Sequence, residues 1–380
     1  MKKTVLHEKH LALKAKMASF GGYEMPIQYE SVIKEHNSCR SQAAIFDTCH
    51  MGVFEIAGGG AVSDLERVLS CDIADIKIGA CRYGFICNEN GGVIDDQILY
   101  RVDDDCFLMV VNASTKEGDF EWIKNHLSKD TKFEDVSGEH AKIDLQGPLA
   151  PKIASALLKS QAESHKNSGD EQSSKKIIED LKFYNFDYVF YKDEMVMISR
   201  TGYTGEIGFE IYGKPEVIAQ LWDECIDKGA VPAGLGARDI LRLEMGFPLY
   251  GHELCLERNA AQSGFSRAVS RKKEFIGSNV VLDSSAAAQL LVGITIEGRR
   301  SAKQNDIIVD ESGNHIGIIT SGAFSPALGC AIALGYVNKE YSIIGTSIKI
   351  ISGKNEFLGK VSELPFYKNA AARDDIKKYL

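Results

Sequence analysis

The sequence predicts an α+β fold that is divided into more than one domain, and three observations support this class. The chain has 380 residues, which is long enough for two or three separate cores. Helical and strand patterns are mixed between about residues 52 and 280, where short turns join several strand runs. After about residue 280 the pattern is mainly β, with short strands spaced by turns, which is typical of a separate small barrel or sandwich.

The segment from about residue 52 to 130 predicts one α+β unit. It begins with a strand, a glycine turn and a helix in GVFEIAGGGAVSDLERVLSC. Two β-rich runs then flank the turn residues NENGG and two more flank DDD, which indicates an antiparallel meander. Ser114 and Glu117 in STKE have the spacing of a capping box, so a helix is predicted through GDFEWIKNHL.

Strands and helices alternate in the next part of the chain. AKIDLQGPLAPKIASALL predicts a strand, a Gly-Pro break and a helix. Residues 160–176 are polar and lack an apolar period, so we expect an inserted flexible surface loop there. Strands are predicted again at FDYVFY and MVMISR, and helices at PEVIAQLWDECI and ARDILRLEMG.

Composition excludes several classes of function. The formal net charge of −9 argues against a general nucleic-acid surface, because phosphate backbones attract basic patches. No run of 18 apolar residues occurs, so we expect no membrane span. The nine cysteines include no CxxC pair, which favours reduced thiols over a metal site. The N-terminal segment lacks the apolar core of a signal peptide, and we therefore expect a cytoplasmic protein.

Asp96 is a candidate for acid–base chemistry because it lies inside the predicted strand GGVIDDQILY. Side chains alternate along a strand, so Asp96 shares a face with Ile94 and Ile98, while Asp95 lies on the other face. A carboxylate among apolar side chains must find a hydrogen-bond partner or undergo a rise in pKa, and enzymes often produce an acid or base in this way. The alternative is an aspartate close to the NENGG turn that accepts backbone N–H groups.

The stretch SRTGYTGEIGFEIY carries three glycines, one every third residue, inside a predicted strand. The spacing matches neither the dinucleotide fingerprint nor a phosphate loop. Gly202 and Gly205 allow the backbone to approach a flat ligand or to adopt positive φ, and Tyr203 between them offers a ring for stacking. Glu210 points away from its two apolar neighbours, towards a cleft or, in a plain hairpin, towards water.

Arg238 is predicted in the first turn of a helix, where the helix dipole opposes a cation. An arginine at such a position often binds a carboxylate or a ring-edge acceptor. The alternative is ion pairing within the helix among Arg238, Asp239 and Arg242. Cys49 and His50 are adjacent, but neighbours on a strand face apart, which disfavours a Cys-His nucleophile.

Several motifs occur together, in the same order as in one known family, and they cover nearly the whole chain. The chain resembles the folate-binding aminomethyltransferases, the T-proteins of the glycine cleavage system. The motifs that carry the resemblance are LHEKH, FGGYEMPIQY, FDTCHMG, CNENGGVIDDQILYRV, LMVVNAS, LQGP, SRTGYTGEIGFEIY, PAGLGARDILRLEMGFPLYGHEL, EFIG, TSGAFSPALGCAIALGYV and LPFYK.

The resemblance implies a three-domain cloverleaf with mixed and antiparallel sheets and tetrahydrofolate in a central channel. By the resemblance, residues 1–51 and 138–275 form a discontinuous folate-binding domain, 52–137 an α+β domain and 276–380 a C-terminal β-barrel domain. The family takes an aminomethyl group from the lipoyl arm of the H-protein, releases ammonia and leaves methylenetetrahydrofolate. The resemblance implies that no metal takes part in the reaction.

The resemblance also implies roles for seven residues. Asp96 is the expected catalytic carboxylate beside the reacting folate nitrogens, and Glu210 is expected to hold the donor edge of the pterin. The remaining residues are expected to line the ring pocket or to contact the folate body, namely Met51, Tyr83, Asn112, Tyr203 and Arg238.

One segment departs from the family pattern. Where the family has P-x-E-A-G-L-x-W, this chain has AAQSGFSR at 260–267, so that Gln262 stands for a glutamate and Arg267 for a tryptophan. This departure keeps two alternatives open. One is a folate-dependent demethylase of a small methylated amine or sulfonium compound, and the other is a non-catalytic folate-binding paralogue.

Overall fold

Two open β-sheets, a closed β-barrel and a two-stranded ribbon form the described part of the computed structural model, which covers residues 1–158, 174–283 and 287–380. The helices in these ranges are α1 (His7–Ala12), α2 (Val32–Ser41), α3 (Ala61–Val68), α4 (Lys116–Asn125), α5 (Ala150–Leu157), α6 (Ser174–Asp180), α7 (Pro215–Asp227), α8 (Leu235–Glu244) and α9 (Ser278–Val281). Short 3₁₀ helices lie at Ala260–Ser263, Ser266–Ala268, Lys339–Tyr341 and Ile376–Tyr379.

The strands follow the predicted order along the chain. They are β1 (Lys16–Phe20), β2 (Tyr23–Gln28), β3 (Ala44–Asp47), β4 (Gly52–Ala57), β5 (Cys81–Cys87), β6 (Val93–Asp103), β7 (Cys106–Val111), β8 (Lys132–Asp135), β9 (Ala141–Gln146), β10 (Phe186–Tyr191), β11 (Glu194–Ser199), β12 (Gly208–Gly213), β13 (Val231–Pro232), β14 (Gln289–Ile296), β15 (Ile307–Val309), β16 (His315–Ser325), β17 (Cys330–Asn338), β18 (Ser347–Ser352) and β19 (Asn355–Ser362).

The first open sheet is antiparallel and has the order β5-β6-β7-β4-β8. On β6, burial alternates as a strand with two different faces requires, and the fully buried face carries Val93, Asp95 and Leu99. Leu99 packs with Phe54 and Phe107 in a core that α3 and α4 also enter. The opposite face of β6 carries Asp96 and is left for the functional site.

The second open sheet is mixed and has the order β10-β11-β12-β9-β3-β13. Its pairs are antiparallel except for β3 with β13, which run parallel. Glu210 on β12 is paired with Asp144 on β9, so their carboxyl groups lie on one face of the sheet. The other face packs against α5 and α7, where Ile143, Phe209 and Trp222 form the centre of the core.

The C-terminal strands close into a barrel in the order β14-β17-β16-β15-β18-β19. This confirms the prediction of an α+β fold with mixed and antiparallel sheets and a β-barrel after residue 280. Buried hydrogen bonds made by charged side chains of α8 hold the barrel against this helix. Arg242 donates to Glu253 at 2.9 Å and to Ser321 of β16 at 2.7 Å, and Ser325 of β16 donates to Glu244 at 2.5 Å.

Two details differ from the sequence prediction. The capping box at STKE does not form, because α4 begins after Thr115 and Glu117 pairs with Lys2 at 2.9 Å. The hydroxyl of Thr115 donates to Asp95 instead of capping the helix. The predicted loop at 160–176 lies mostly outside the described residues, and its last three residues belong to α6.

No helix in the described ranges combines the length and apolar character that crossing a membrane requires. The nine cysteines all lie within those ranges, and each is a free thiol.

The glycine-rich stretch before β12 bends because its backbone passes close to other elements. Gly205 has φ +80°, and a Cβ at this position would overlap the Sδ atom of Met245. A Cβ on Gly208 would lie 2.5 Å from the carbonyl oxygen of Leu145 on β9. The carbonyl of Gly205 accepts a hydrogen bond from the backbone N–H of Ala372 at 2.9 Å. The bend therefore joins the second sheet to α8 and to the segment that follows the barrel.

We expect Gly205→Ala to lower the free energy of unfolding by about 1–3 kcal/mol, because alanine pays for positive φ and for the overlap with Met245. Chemical denaturation measures this loss. Gly118→Ala, at an exposed position in the first turn of α4, is the matched control and should raise stability by up to about 0.5–1 kcal/mol. Equal effects at the two positions would contradict the role given to the bend.

Candidate functional site

A single cavity of ≈ 1170 Å³ lies where the two open sheets, α8 and the segment after the barrel come together. Its walls are more apolar than polar, as in sites that bind organic ligands. The structure brings all seven residues singled out from the sequence to this cavity, namely Met51, Tyr83, Asp96, Asn112, Tyr203, Glu210 and Arg238.

Asp96 faces the cavity from β6 and is held by two donors. The hydroxyl of Tyr83 on β5 donates to Oδ2 at 3.0 Å, and Nδ2 of Asn112, just after β7, donates to Oδ1 at 2.9 Å. The same Nδ2 donates at 2.7 Å to Oδ1 of Asp95. The two amide hydrogens of Asn112 therefore connect two carboxyl groups, and the orientation of Asp96 is fixed by the sheet.

Burial raises the pKa of Asp96 to about 7, and the neighbouring charge of Asp95 adds to the rise. The two hydrogen bonds from Tyr83 and Asn112 act in the opposite direction but do not cancel it. A carboxyl group with a pKa near neutral pH can either accept or supply a proton there, which is what general acid–base catalysis requires.

Glu210 is 4% exposed and presents one side of its carboxylate to the cavity. Oε2 accepts from Tyr212 at 2.9 Å and from Tyr100 at 3.2 Å, and lies 3.3 Å from Nζ of Lys142. Within the described ranges no donor is assigned to Oε1. The carboxylate is thus anchored through one oxygen, Oε2, at the wall of the cavity. The alternative of a solvent-facing Glu210 in a plain hairpin is wrong.

A row of alternating charges continues from Glu210 along the same wall. Lys142 lies 2.9 Å from Oδ1 of Asp144, and Arg238 donates to Oδ2 of Asp144 at 2.6 Å. Although burial alone would raise the pKa of Asp144, the two cations lower it to about 2. Arg238 is therefore paired across to β9. Pairing within α8 does occur, but between Asp239 and Arg242 at 2.8 Å.

Aromatic side chains and a methionine thioether form the apolar walls. The ring of Tyr203 stacks on Phe247, with 5.8 Å between centroids and 24° between planes, and its hydroxyl donates to the carbonyl of Pro248. The guanidinium of Arg238 lies 5.2 Å from the Tyr203 centroid. Met51 contributes a thioether to the wall, and its Sδ lies 3.8 Å from Nζ of Lys142. Planar walls of this kind suit a planar ring ligand.

The segment after the barrel completes the cavity. Residues 365–373 contribute Tyr367, Lys368 and Arg373 to its lining. Arg200 fixes the segment by donating to the backbone carbonyls of Ala372 and Asp374. Two cations are thus available at this end of the cavity, although Lys368 is also paired with Glu363 at 2.9 Å.

His50 also lines the cavity, and it is 7% exposed. Burial lowers its pKa to about 4, so the ring is neutral, and Nδ1 has no partner among the described residues. Burial raises the pKa of the adjacent Cys49 thiol, which donates to the carbonyl of Lys142 at 3.2 Å, and this disfavours the thiolate form that a nucleophile needs. The geometry thus agrees with the strand pattern, which disfavours a Cys-His nucleophile.

Sequence reasoning missed Asp95, Lys142 and Asp144. Lys142 and Asp144 lie in AKIDLQ, where alternation alone would have placed both side chains on one face. Their joint burial depends on Glu210 and Arg238, which are distant in sequence. Asp95 was assigned to the other face of β6 but given no role, because no local pattern marks its partners Asn112 and Thr115.

The two residues that depart from the family pattern have different surroundings. The side chain of Gln262 accepts from the backbone N–H of Asn259 at 3.2 Å and caps the short helix Ala260–Ser263. Arg267 is exposed and lines the cavity, as does Phe265, whose ring lies 6.3 Å from that of Tyr83. Of the two departures, Arg267 is therefore the one that lines the cavity.

Two family descriptions match the chain. Residues 6–273 match the GCVT N-terminal domain, and residues 290–368 match the glycine cleavage T-protein C-terminal barrel domain. The second match falls on the closed barrel.

The chain is similar over nearly its full length to curated proteins named aminomethyltransferase. It is 38% identical to the one of Halothermothrix orenii over 96% of this chain and 100% of the relative. It is also 38% identical to the one of Chloroherpeton thalassium over 97% and 100%. Among solved structures, the glycine cleavage system aminomethyltransferase T of Bartonella henselae matches with a TM-score of 0.86 and 29% identity over 97% of this chain and 99% of that one.

Proposed function

This chain belongs to the glycine cleavage T-protein family of aminomethyltransferases, and from that premise we propose its substrates and the roles of its site residues. It is a transferase of one-carbon groups. The proposed reaction takes the one-carbon unit from the aminomethyl-dihydrolipoyl arm of an H-protein to tetrahydrofolate and releases ammonia. The observation that carries the proposal is Asp96, a carboxyl group with a near-neutral pKa held towards a large cavity with planar walls.

The polar groups of the cavity fit a reduced folate. A pterin presents ring and amino N–H donors in one plane, and a carboxylate accepts two such donors in parallel. Glu210 offers Oε1 at the cavity wall while Oε2 is already held by Tyr212 and Tyr100. The rings of Tyr83 and Tyr203 supply flat surfaces, and Arg238 and Met51 complete the wall. These residues would hold the ring, with Asn112 acting through Asp96.

Tetrahydrofolate, when bound, supplies the nitrogen atoms that accept the one-carbon unit. The chain supplies the position and the proton transfer. Tyr83 and Asn112 keep both oxygens of Asp96 in place, so that its carboxylate orients the N–H groups of the ligand and accepts a proton from them. The apolar walls exclude water and strengthen these contacts.

The cavity is larger than one drug-sized ligand needs, since such sites measure roughly 300–1000 Å³. We infer that the additional volume admits a second group, the lipoyl arm of a carrier protein. The proposed H-protein partner and the cytoplasmic location predicted from the sequence both belong to this proposal.

An ammonia-release assay tests the proposed reaction. The protein is incubated with aminomethylated, lipoyl-bearing H-protein, with tetrahydrofolate, or with both, and ammonia is measured. We expect fast release only when both are present. Turnover of a small methylated amine or sulfonium compound without H-protein would instead support the demethylase alternative. Folate binding without any turnover would support the non-catalytic paralogue.

Arg267 offers a test of the departure from the family pattern. We expect Arg267→Trp to tighten tetrahydrofolate binding by about 0.5–1.5 kcal/mol, because a ring at this edge of the cavity adds a stacking surface next to Phe265. Titration calorimetry measures the change. Arg271→Trp, at an exposed position outside the lining, is the control and should leave affinity unchanged. Weaker binding by the 267 variant would show that the arginine itself contacts the ligand.

A further inference from the structure

Three carboxyl side chains lie together at the edge of the cavity. Asp96 faces the cavity, whereas Asp95 on β6 and Asp119 on α4 are completely buried, each with 0% exposure. Asn112 connects the first two through Nδ2, at 2.9 Å from Asp96 and 2.7 Å from Asp95. The third, Asp119, lies against Asp95 and does not line the cavity.

Asp119 has no donor of its own. Neither of its buried oxygens has a donor in hydrogen-bonding geometry within the described ranges. Thr115 also faces Asp119, but its hydroxyl donates to Asp95 at 2.9 Å. Two ionised carboxylates cannot face each other in a buried site without a counter-charge. A proton must therefore lie between Asp119 and Asp95.

Asp95 is the member of this pair that is built to carry the charge. It accepts from the backbone N–H of Asn112 at 2.9 Å, from Nδ2 of Asn112 at 2.7 Å and from the hydroxyl of Thr115 at 2.9 Å. Burial raises the pKa of Asp95, and the hydrogen bonds from Asn112 and Thr115 act against that rise, because hydrogen bonds to a carboxylate favour its charged form. Burial and the charge of Asp95 together raise the pKa of Asp119, which keeps the proton there.

We propose that Asp119 is a protonated carboxylic acid that donates to Asp95, and that the charge kept on Asp95 sets the pH at which Asp96 loses its proton. Asp95 and Asp119 are positioning residues, because neither lines the cavity. The effect on catalysis rests on the proposed function, whereas the distribution of protons does not. The cluster uses only protein groups and needs no ligand.

The direction of the effect follows from the groups that face each carboxyl. Asp96 is faced by Tyr83 of β5, Asn112, Tyr203 of the glycine bend and the carboxyls Asp95 and Asp119. A negative charge at position 95 disfavours a second one at position 96. Removing the charge of Asp95 should therefore let Asp96 ionise at lower pH.

Tyr250 is a further titratable group facing the pair. Burial raises the pKa of the Tyr250 phenol to about 12, and the charge of Asp95 adds to the rise, so the phenol stays neutral near pH 7. No Lys or Arg in the described ranges forms an ion pair with Asp95, Asp96 or Asp119.

Infrared difference spectroscopy on the ligand-free protein tests the shared proton. At neutral pH we expect the spectrum of the unaltered protein minus that of Asp119→Asn to contain the C=O stretching band of a protonated carboxylic acid. The asparagine amide replaces the donor without carrying a titratable proton. Absence of this band would overturn the assignment of the proton to the pair.

The effect on Asp96 is measured by ¹³C NMR titration of the carboxyl carbons, with Asp96→Asn identifying the resonance. Asp95→Asn should lower the titration midpoint of Asp96 by about one pH unit or more. Asp119→Leu, which removes the donor from Asp95, should shift it in the same direction, while Asp119→Asn should leave it within a few tenths of a unit. Asp103→Asn, at the exposed end of β6, is the control for an unspecific charge effect.

The acid limb of the pH–rate profile for aminomethyl transfer should move with the NMR midpoint. An unchanged midpoint in Asp95→Asn would overturn the proposal. If that variant does not fold, the two variants at position 119 decide. Equal titration midpoints of Asp96 in Asp119→Leu and Asp119→Asn would then overturn the proposal. Loss of the transfer activity with the infrared band and the NMR shifts intact would count against the proposed function and leave the shared proton standing.

Discussion

Asp96→Asn should reduce aminomethyl transfer by about 10²–10⁴-fold, which is the usual contribution of a positioned acid or base. The asparagine has the same shape: its carbonyl oxygen can accept from Nδ2 of Asn112, while its NH₂ group can donate to the hydroxyl oxygen of Tyr83, so the site should keep its form. It cannot take up a proton. We therefore expect tetrahydrofolate affinity to stay within a few-fold of the unaltered protein while single-turnover transfer is lost.

The pH dependence gives a second measure of the same role. Since Asp96 has a pKa of about 7 and acts in its charged form, transfer should rise as the pH passes upward through 7. The control variant Asp103→Asn on the exposed end of the same strand should keep both the rate and the profile. Full turnover in Asp96→Asn would remove the residue from the mechanism.

Glu210→Ala should weaken tetrahydrofolate binding by about 1–3 kcal/mol, roughly a 5- to 150-fold rise in Kd, because a buried donor array on the ligand would be left without its acceptor. In this variant Lys142 still pairs with Asp144 at 2.9 Å, so the positive charge of Lys142 keeps a negative partner after the carboxylate of Glu210 is removed. Titration calorimetry with the purified variant measures the change directly.

A matched control separates this contact from a general effect of charge. Glu216→Ala removes an exposed glutamate from the first turn of α7. This residue is close to Glu210 in sequence but does not line the cavity, so the variant should leave Kd unchanged. Glu210→Gln should bind nearly as weakly as the alanine variant if a full carboxylate is needed. Unchanged affinity in both 210 variants would exclude this residue from the ligand contact.

Much of the fold follows from local pattern. The turn residues NENGG and DDD, with the strands on both sides of them, predict the meander that presents Asp96, and the short strands after residue 280 predict the barrel. Both rest on periodicity and turn chemistry, which act between neighbours in the chain. The division into three domains, with 1–51 and 138–275 as one unit, is implied by the family resemblance and remains a proposal.

The polar network could not be predicted in the same way. Whether Arg238 pairs within its helix or across to Asp144 depends on the distance between α8 and β9, which no local pattern contains. The capping box predicted from Ser114 and Glu117 does not form, and the hydroxyl of Thr115 between them donates to the buried Asp95. In both cases the partner is a buried carboxylate that is distant in sequence. A buried charge needs a partner, and only the tertiary fold determines which residue is close enough.

The segment 365–373 has a consequence for biosynthesis. It forms part of the cavity lining and bonds to the glycine bend through Ala372 and Gly205, yet it is translated long after both open sheets. A nascent chain can thus fold its sheets on the ribosome and still lack a finished binding chamber. Ligand-assisted folding would accordingly begin only once the barrel and this segment have emerged.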